Sequence, residues 1–107
     1  MTVQDVTSSQ QAIDIENKHG AHNYHPLPAV LKEGKGVYVW DVEGKKYLDC
    51  LAAYSAVNQG HCHPHILKAF VEQAKKLTLT SRAFRNDKLP KLYQKLNEMT
   101  GCEMALP

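Results

Sequence analysis

The spacing of hydrophobic and polar residues is typical of strands in one part of the chain and of helices in others. The clearest element that it predicts is a β-hairpin. Residues 37–41 (VYVWD) and 46–51 (KYLDCL) are rich in β-branched and aromatic side chains, and residues 42–45 (VEGK) between them have the composition of a turn. This arrangement predicts two antiparallel strands joined by that turn. Because two strands alone are marginally stable in water, we expect the hairpin to pack against helices or against further chain.

Two amphipathic helices are predicted after the hairpin. From residue 64 to about residue 77, apolar residues recur at helical spacing and lysines lie on the other face. Residues 89–99 repeat the pattern. We expect Asn86 or Asp87 to cap this second helix and Gly101 to end it.

Three less regular segments precede or connect these elements. Residues 1–11 are polar and are expected to form a loose lead, which is followed by a short helix over residues 12–18. Residues 20–28 contain two prolines and a glycine, which predicts an extended segment lying on another surface. Residues 78–84 are predicted to run extended towards the cap of the second helix.

Residues 52–64 (AAYSAVNQGHCHP) carry the strongest functional signal. The stretch is too polar for a core strand and too apolar for a solvated loop. Its small residues let other backbone approach closely, Gly60 permits backbone angles that other residues avoid, and Pro64 fits the first turn of a helix. Two interpretations remain open, a connecting loop at an interface and a loop that faces a ligand.

Composition and charge exclude several classes of function. The chain has 107 residues, of which 43% are hydrophobic and 22% charged, so it forms at most one small domain. A net charge of +2, with lysines and glutamates interspersed, gives no basic stripe for nucleic acid. Its apolar runs are far shorter than the roughly 20 residues that a bilayer requires, so no membrane span is expected.

The start of the chain and the cysteines point to the cytoplasm. Residues 1–11 have neither the apolar core of a secretory signal nor the arginines of a mitochondrial presequence, so neither is expected. Cys50, Cys62 and Cys102 are odd in number and lack paired spacing. These features predict reduced thiols in a cytoplasmic protein.

Histidines and cysteines raise the question of a zinc site, since both are zinc ligands. One cluster is dense, and three more histidines lie upstream of it: His61, Cys62, His63 and His65, with His19, His22 and His25. No cysteine pair has the spacing of a structural zinc site, and Pro64 would start a helix inside the cluster. We expect no metal, and interpret the histidines as capping, hydrogen-bonding or interface residues.

Other catalytic signatures are absent from the sequence, and two tyrosines remain as candidates. Ser55 and Ser81 lack the G-x-S-x-G context of a nucleophile, and no glycine-rich run has the spacing of a phosphate-binding loop. Tyr24 and Tyr54 stand in irregular segments, where each could line a pocket and donate one hydrogen bond. A core or interface role is the alternative for each.

Four stretches of the chain resemble the class III aminotransferases, and within them the ornithine aminotransferases. The W-D-x-x-G element at residues 40–44 and the G-H-x-H-P element at residues 60–64 resemble the whole class. The runs GAHNYHPLP at residues 20–28 and YSAVNQGHCHP at residues 54–64 are narrower and resemble the ornithine-specific branch. With residues 77–84, the resemblance extends over about residues 15–107.

The resemblance implies a fold, a reaction and a cofactor. It implies an α+β fragment, with a short amino-terminal helix, a β-hairpin and two amphipathic helices, of a fold-type I pyridoxal-phosphate-dependent transferase. Such enzymes have an α/β large domain and a smaller domain, and form homodimers or larger oligomers. They transfer the δ-amino group of ornithine to 2-oxoglutarate, in arginine and proline metabolism. In the family, the tyrosine matching Tyr24 holds the α-carboxylate end of ornithine, and the one matching Tyr54 lines and gates the pocket.

The resemblance also implies that the catalytic centre lies elsewhere. Pyridoxal phosphate needs a lysine for its Schiff base, a carboxylate and a phosphate cup, which in the family fall beyond the match to Pro107. We therefore expect a flexible lead at 1–14 and, at 15–107, an amino-terminal segment that ends before the cofactor-binding domain, with no catalytic or cofactor-binding residue. Two functions remain open, an inactive amino-terminal part of such an enzyme and a non-catalytic module that docks on an intact aminotransferase subunit.

Overall fold

The computed structural model describes residues 5–106, so the first residues of the predicted lead and Pro107 lie outside the described part. The chain divides into two compact units, one ending at Lys68 and the other beginning at Ala69. The described residues form these elements: α1 (Ser9–His19), β1 (Leu31–Lys35), β2 (Tyr38–Asp41), β3 (Lys46–Leu48), α2 (Ala52–Ser55), α3 (Pro64–Ala74) and α4 (Leu89–Thr100). No helix within them has the length and apolar content that a membrane crossing requires.

The predicted hairpin is confirmed as β2 and β3, which pair antiparallel with Tyr38 opposite Leu48 and Trp40 opposite Lys46. A third strand, β1, which was not predicted, pairs antiparallel with the other edge of β2. Gly34 lies inside β1, although the two glycines of the Gly34-Lys35-Gly36 run favour a break before the hairpin. Its missing side chain leaves space for the imidazole of His61, and a Cβ built there would lie 2.8 Å from the His61 Cβ.

The turn between β2 and β3 is organised by Asp41, the acid of the W-D-x-x-G element. Its Oδ1 accepts hydrogen bonds from the backbone N–H groups of Glu43 (3.1 Å) and Lys45 (2.8 Å), and its Oδ2 accepts from the Tyr47 hydroxyl at 2.6 Å. The Tyr47 hydrogen bond, followed by the two backbone ones, lowers the pKa of Asp41. Gly44 takes a φ of +84° in this turn, an angle that few other residues adopt without strain.

Helix α1 begins at Ser9, three residues before the predicted start at Ala12. Ser8 caps it, because its hydroxyl accepts from the Gln11 backbone N–H at 3.2 Å. The backbone N–H and the hydroxyl of Ser9 each donate to the Glu43 carboxylate at 2.6 Å. The start of α1 is therefore attached to the β2–β3 turn, and residues 9–11 are helical where a loose lead was expected.

Apolar packing in the first unit is sparse. Among the described residues, Val39 is the one buried hydrophobic side chain, at 5% exposure, and it stands in the middle strand of the sheet. The alternation along β2, with Val39 and Asp41 buried and Tyr38 exposed, is that of a strand with one covered face. Polar contacts at the turns are therefore important in fixing the conformation of this unit.

In the second unit, Gly101 ends α4 as predicted, with a left-handed φ of +72°. Of the two predicted caps, Asn86 takes the role, since its Oδ1 accepts from the backbone N–H groups of Lys88 and Leu89 at 3.0 Å each. Helix α3 ends at Ala74, slightly before the predicted end. The predicted extended run over residues 78–84 was wrong at its end, because the Phe84 N–H donates to the Ser81 carbonyl and closes a turn.

Candidate functional site

The two tyrosines singled out from the sequence meet in the first unit. The hydroxyl oxygens of Tyr24 and Tyr54 lie 3.3 Å apart, within hydrogen-bonding distance, and either can be the donor. Both side chains are largely open to solvent, at 72% exposure for Tyr24 and 77% for Tyr54. They therefore form a polar surface feature and not part of a core, and their role as substrate-binding residues stays a prediction.

The chemistry of this pair is that of neutral hydrogen-bonding groups. The hydrogen bond from Tyr24, together with partial desolvation, raises the pKa of Tyr54 above its ordinary value near 10. Its hydroxyl is therefore protonated at neutral pH. When one hydroxyl donates to the other, the second still has a proton to donate outward. That proton suits an anionic group such as a carboxylate, because hydrogen bonds to charged acceptors are the stronger kind.

Tyr54 stands on an unusual backbone turn, α2. Four consecutive residues that are not glycine, Ala52 to Ser55, have positive φ angles of 48°, 48°, 56° and 69°. This is the left-handed helical region, which costs roughly 1–2 kcal/mol for each residue with a Cβ. Sequence reasoning predicted a shaped, irregular stretch here, but not a left-handed turn, because alanine and tyrosine give no signal for positive φ.

Asp49 holds the start of this turn. Its Oδ1 accepts from the backbone N–H groups of Leu51 (3.0 Å) and Ala52 (2.9 Å), and its Oδ2 lies 2.7 Å from His61 Nε2. The Ala52 hydrogen bond, followed by that of His61, lowers the pKa of Asp49. The carboxylate is therefore ionised at neutral pH and joins the two ends of the segment that carries Tyr54.

His61 is in turn attached to the sheet. Its backbone N–H donates to the Gly36 carbonyl at 2.8 Å, and the Gly36 N–H donates to the His61 carbonyl at 3.0 Å. Gly60 also lies close to this strand connection, since a Cβ there would come within 3.0 Å of the Gly36 Cα. The G-H-x-H-P element therefore begins as an extension of the sheet before Pro64 starts α3.

The histidine and cysteine cluster does not converge on a metal site. His61 is paired with Asp49, and His22 Nε2 contacts the Asn17 carbonyl. Cys50, Cys62 and Cys102 are all exposed and free. Within residues 5–106, no three potential ligands come together in a group that could hold an ion.

A groove beside Tyr24 is the natural place to test for the cofactor that the family uses. It is lined by Ile13, Glu16 and Asn17 of α1 and by residues 20–30. None of these lining residues is a lysine or an arginine. A Schiff base needs a lysine, so this groove does not fit the covalent attachment of pyridoxal phosphate.

Sequence reasoning missed Asp49 as a functional candidate. It lies inside the predicted strand 46–51, but β3 ends at Leu48, which leaves Asp49 in the position of a capping residue before the short turn that follows. The Gly34-Lys35-Gly36 run was interpreted only as a break. A glycine inside a strand also marks the close approach of another group, and that signal would have pointed to His61.

The sequence of this chain is similar to those of known aminotransferases. Residues 19–107 match the family model described as aminotransferase class-III. The ornithine aminotransferase of Saccharomyces cerevisiae is 61% identical over 100 residues, which cover 94% of this chain and 24% of that protein. The chain therefore spans about a quarter of the length of the curated relatives it matches.

Solved structures agree in sequence and in fold. The acetylornithine aminotransferase of Elizabethkingia anophelis superposes with a TM-score of 0.88 at 62% identity, over 92% of this chain and 26% of that one. The ornithine δ-aminotransferase of Plasmodium falciparum gives 0.87 at 54% identity, over 91% and 25%. The α+β fold expected from the sequence is confirmed, and the chain belongs to the class III aminotransferase family.

Proposed function

We propose that this chain is the amino-terminal part of an ornithine δ-aminotransferase. The reaction converts L-ornithine and 2-oxoglutarate into L-glutamate 5-semialdehyde and L-glutamate. The observation that carries the proposal is the contact between the Tyr24 and Tyr54 hydroxyls, 3.3 Å apart on two segments whose sequences resemble the ornithine-specific branch. The identity to the yeast ornithine aminotransferase supports the same substrate.

Tyr24 and Tyr54 have distinct roles in this proposal. The Tyr24 hydroxyl donates a hydrogen bond to the α-carboxylate of ornithine, which is the end of the substrate that does not react. Tyr54 lines the pocket beside it and, through its hydroxyl, orients that of Tyr24. Both rings are exposed, so each can contact a substrate without displacing packed neighbours. Their contribution is binding and orientation.

The groups for amino transfer come from the rest of the enzyme. Pyridoxal phosphate supplies the chemistry of transfer in this family, and the groove beside Tyr24 contains no lysine or arginine to bind it. We therefore propose that residues 1–107 alone neither bind the cofactor nor transaminate. We also propose that the complete enzyme is a cytoplasmic homo-oligomer, with ornithine and 2-oxoglutarate as its small-molecule substrates and with neither nucleic acid nor membrane as a partner.

A chimaera tests the substrate assignment. This chain would replace the matching residues of the Saccharomyces cerevisiae ornithine aminotransferase, and kcat/KM would be measured with ornithine and with N-acetylornithine. We expect activity with a clear preference for ornithine. A preference for N-acetylornithine would contradict the proposal and would favour the activity named for the Elizabethkingia relative.

A non-catalytic module that docks on an intact aminotransferase subunit is the second candidate. Exposed apolar side chains favour it, since Leu27 is 85% exposed and Leu79 is 86% exposed, and both would gain from a partner surface. Mixing experiments distinguish the two. An amino-terminal part restores activity to the complementary piece of the yeast enzyme, whereas a docking module binds the intact subunit.

A further inference from the structure

The segment from Leu51 to His61 is closed by a single carboxylate. Asp49 Oδ1 accepts the backbone N–H groups of Leu51 and Ala52 at its start, and Asp49 Oδ2 pairs with His61 at its end. The side chains of Asp49 and His61 are 17% and 27% exposed, so the pair is partly shielded from water. A shielded, charge-assisted hydrogen bond at 2.7 Å is a firm contact.

The segment that Asp49 holds contains backbone angles that its residue types disfavour. The residues from Ala52 to Ser55 all have left-handed φ angles, although none is glycine. Such strain persists only where surrounding contacts determine the backbone, and it occurs often at binding sites. Within the turn, the Val57 N–H donates to the Ala52 carbonyl at 3.0 Å, so the residue that Asp49 holds also closes the turn.

The sheet fixes the other member of the pair. Two backbone hydrogen bonds join His61 to Gly36, and the imidazole lies against the bare backbone of Gly34. Asp49 itself continues from β3, because its N–H donates to the Val37 carbonyl at 2.9 Å. Both partners are therefore attached to the sheet by backbone hydrogen bonds, and the turn that carries Tyr54 lies between them in the sequence.

We infer that Asp49 and His61 are positioning residues, which set where the Tyr54 hydroxyl lies relative to that of Tyr24 and so determine the affinity for the amino-acid substrate. The inference rests on the proposed function, in which the two tyrosines contact that substrate. Neither Asp49 nor His61 contacts it in this scheme. Their effect passes through the backbone of the left-handed turn to the hydroxyl of Tyr54.

The test uses the chimaeric enzyme and three substitutions at two aspartates. Asp49→Ala removes all three hydrogen bonds, and we expect kcat/KM for ornithine to fall about tenfold to a hundredfold, mainly through KM. Asp49→Asn retains an oxygen for the two backbone donors and an amide that can donate to His61, and we expect it to remain near the parent. Asp41→Ala is the matched control, because Asp41 accepts the same number of hydrogen bonds in the β2–β3 turn but does not hold the turn that carries Tyr54.

A double-substitution cycle separates positioning from general destabilisation. If Asp49 acts through the Tyr54 hydroxyl, Asp49→Ala should cost less than about threefold in kcat/KM once Tyr54→Phe has removed that hydroxyl. Hydrogen exchange gives a second readout, and we expect faster exchange over residues 51–57 in Asp49→Ala but not in Asp41→Ala. Equal losses in both backgrounds, or an equal loss in the Asp41 control, would overturn the inference.

The outcomes distinguish this inference from the proposed function. Parental kinetics in both Tyr54→Phe and Tyr24→Phe would overturn the role of the tyrosines in the proposed function. If Tyr54→Phe impairs ornithine turnover while Asp49→Ala leaves both turnover and exchange at the parental level, only the positioning inference is overturned. Rescue by Asp49→Asn, combined with a cycle that is not additive, supports it.

Discussion

The hydroxyl of Tyr24 lies 3.3 Å from that of Tyr54, although the two residues are 30 positions apart in the sequence. One comes from an extended, proline-rich segment and the other from a left-handed turn, so neither local pattern alone brings them together. Their contact depends on where the sheet places the two segments. It therefore provides a sensitive measure of whether this unit has its native geometry.

Tyr24→Phe should weaken the handling of ornithine without unfolding the enzyme. In the chimaera, the change removes one hydrogen bond to a charged group, which corresponds to a fall in kcat/KM of about tenfold to a hundredfold. The melting temperature should stay within about one degree, because the exposed ring is retained. Tyr93→Phe in α4 serves as the control and should leave the kinetics unchanged. Parental kinetics with a melting temperature lowered by several degrees would mean that Tyr24 is structural.

The Asp41–Tyr47 hydrogen bond should make stability depend on pH at both extremes. The pKa of Asp41 is lowered from 3.8, so its contribution is present above that value and is lost as the pH falls further. The pKa of Tyr47 is raised from 10.0, so its contribution is present below pH 10 and is lost as the pH rises through the folded value. Thermal melts of the chimaera between pH 3 and pH 11 would measure both limbs.

Tyr47→Phe should flatten both of these limbs, since it removes the largest cause of the Asp41 shift and removes the hydroxyl that titrates on the alkaline side. Val39→Ala is a suitable control, because it removes apolar packing and no titrating group. It should lower the melting temperature by a similar amount at every pH. A Tyr47→Phe profile parallel to that of the parent would contradict the assignment.

Gly34→Ala should disturb the proposed substrate site from a distance. A Cβ at this position would lie 2.8 Å from both Cβ and Cγ of His61, so the imidazole must move away from its place beside Asp49. We expect a lower melting temperature together with about a tenfold higher KM for ornithine. Gly44→Ala is the matched control, since its φ of +84° makes the change strained but its Cβ meets no atom within 4 Å. An unchanged KM in Gly34→Ala would show that the imidazole relaxes without effect on the tyrosines.

Residues 1–107 alone should be only marginally stable. Val39 is the one buried apolar side chain in residues 5–106, whereas Phe70 and Met99 are 69% and 72% exposed. A chain of this size has little surplus burial to offset its conformational entropy. Calorimetry and analytical ultracentrifugation should show a broad transition or association. A sharp, reversible transition in a monodisperse monomer would contradict this.

The isolated chain should also fail to form a complex with pyridoxal phosphate. The groove beside Tyr24 is lined by Ile13, Glu16 and Asn17 of α1 and by residues 20–30, and none of these lining residues is a lysine or an arginine. Titration with the cofactor should therefore give no stoichiometric absorbance band that disappears when ornithine is added. The same chain in denaturant would control for adventitious imines at its lysines. A stoichiometric, ornithine-sensitive band would show that the chain carries a binding lysine of its own.

The sequence predicted those parts of the fold that depend on neighbouring residues. The hairpin, its turn, the Asn86 cap and the Gly101 end each follow from a local pattern, and each is present. Strand β1 was missed because its sequence, LKEGK, has no strand signal of its own and pairs only because the edge of β2 is available. Its partner β2 begins only three residues after it ends, so the strand was missed for want of a strand-like composition and not because its partner is distant.

The candidate site also contains some residues that the sequence predicted and others that it did not. Tyr24 and Tyr54 could be chosen from the sequence because they stand in irregular segments and match tyrosines to which the family resemblance assigns a substrate role. The pairing of Asp49 with His61 could not, because it depends on how the sheet turns the chain between residues 49 and 61. The left-handed φ angles of Ala52 and Ala53 could not be predicted either, because alanine disfavours positive φ.

The scarcity of buried apolar side chains changes where natural sequence variation can accumulate in this segment. In most small domains the core positions tolerate least, and polar surface positions drift freely. Here Asp41 and Asp49 each satisfy three donors, while most large apolar side chains are open to solvent. We therefore expect the shape of this segment to tolerate substitutions at its exposed apolar positions better than substitutions at its acids and glycines.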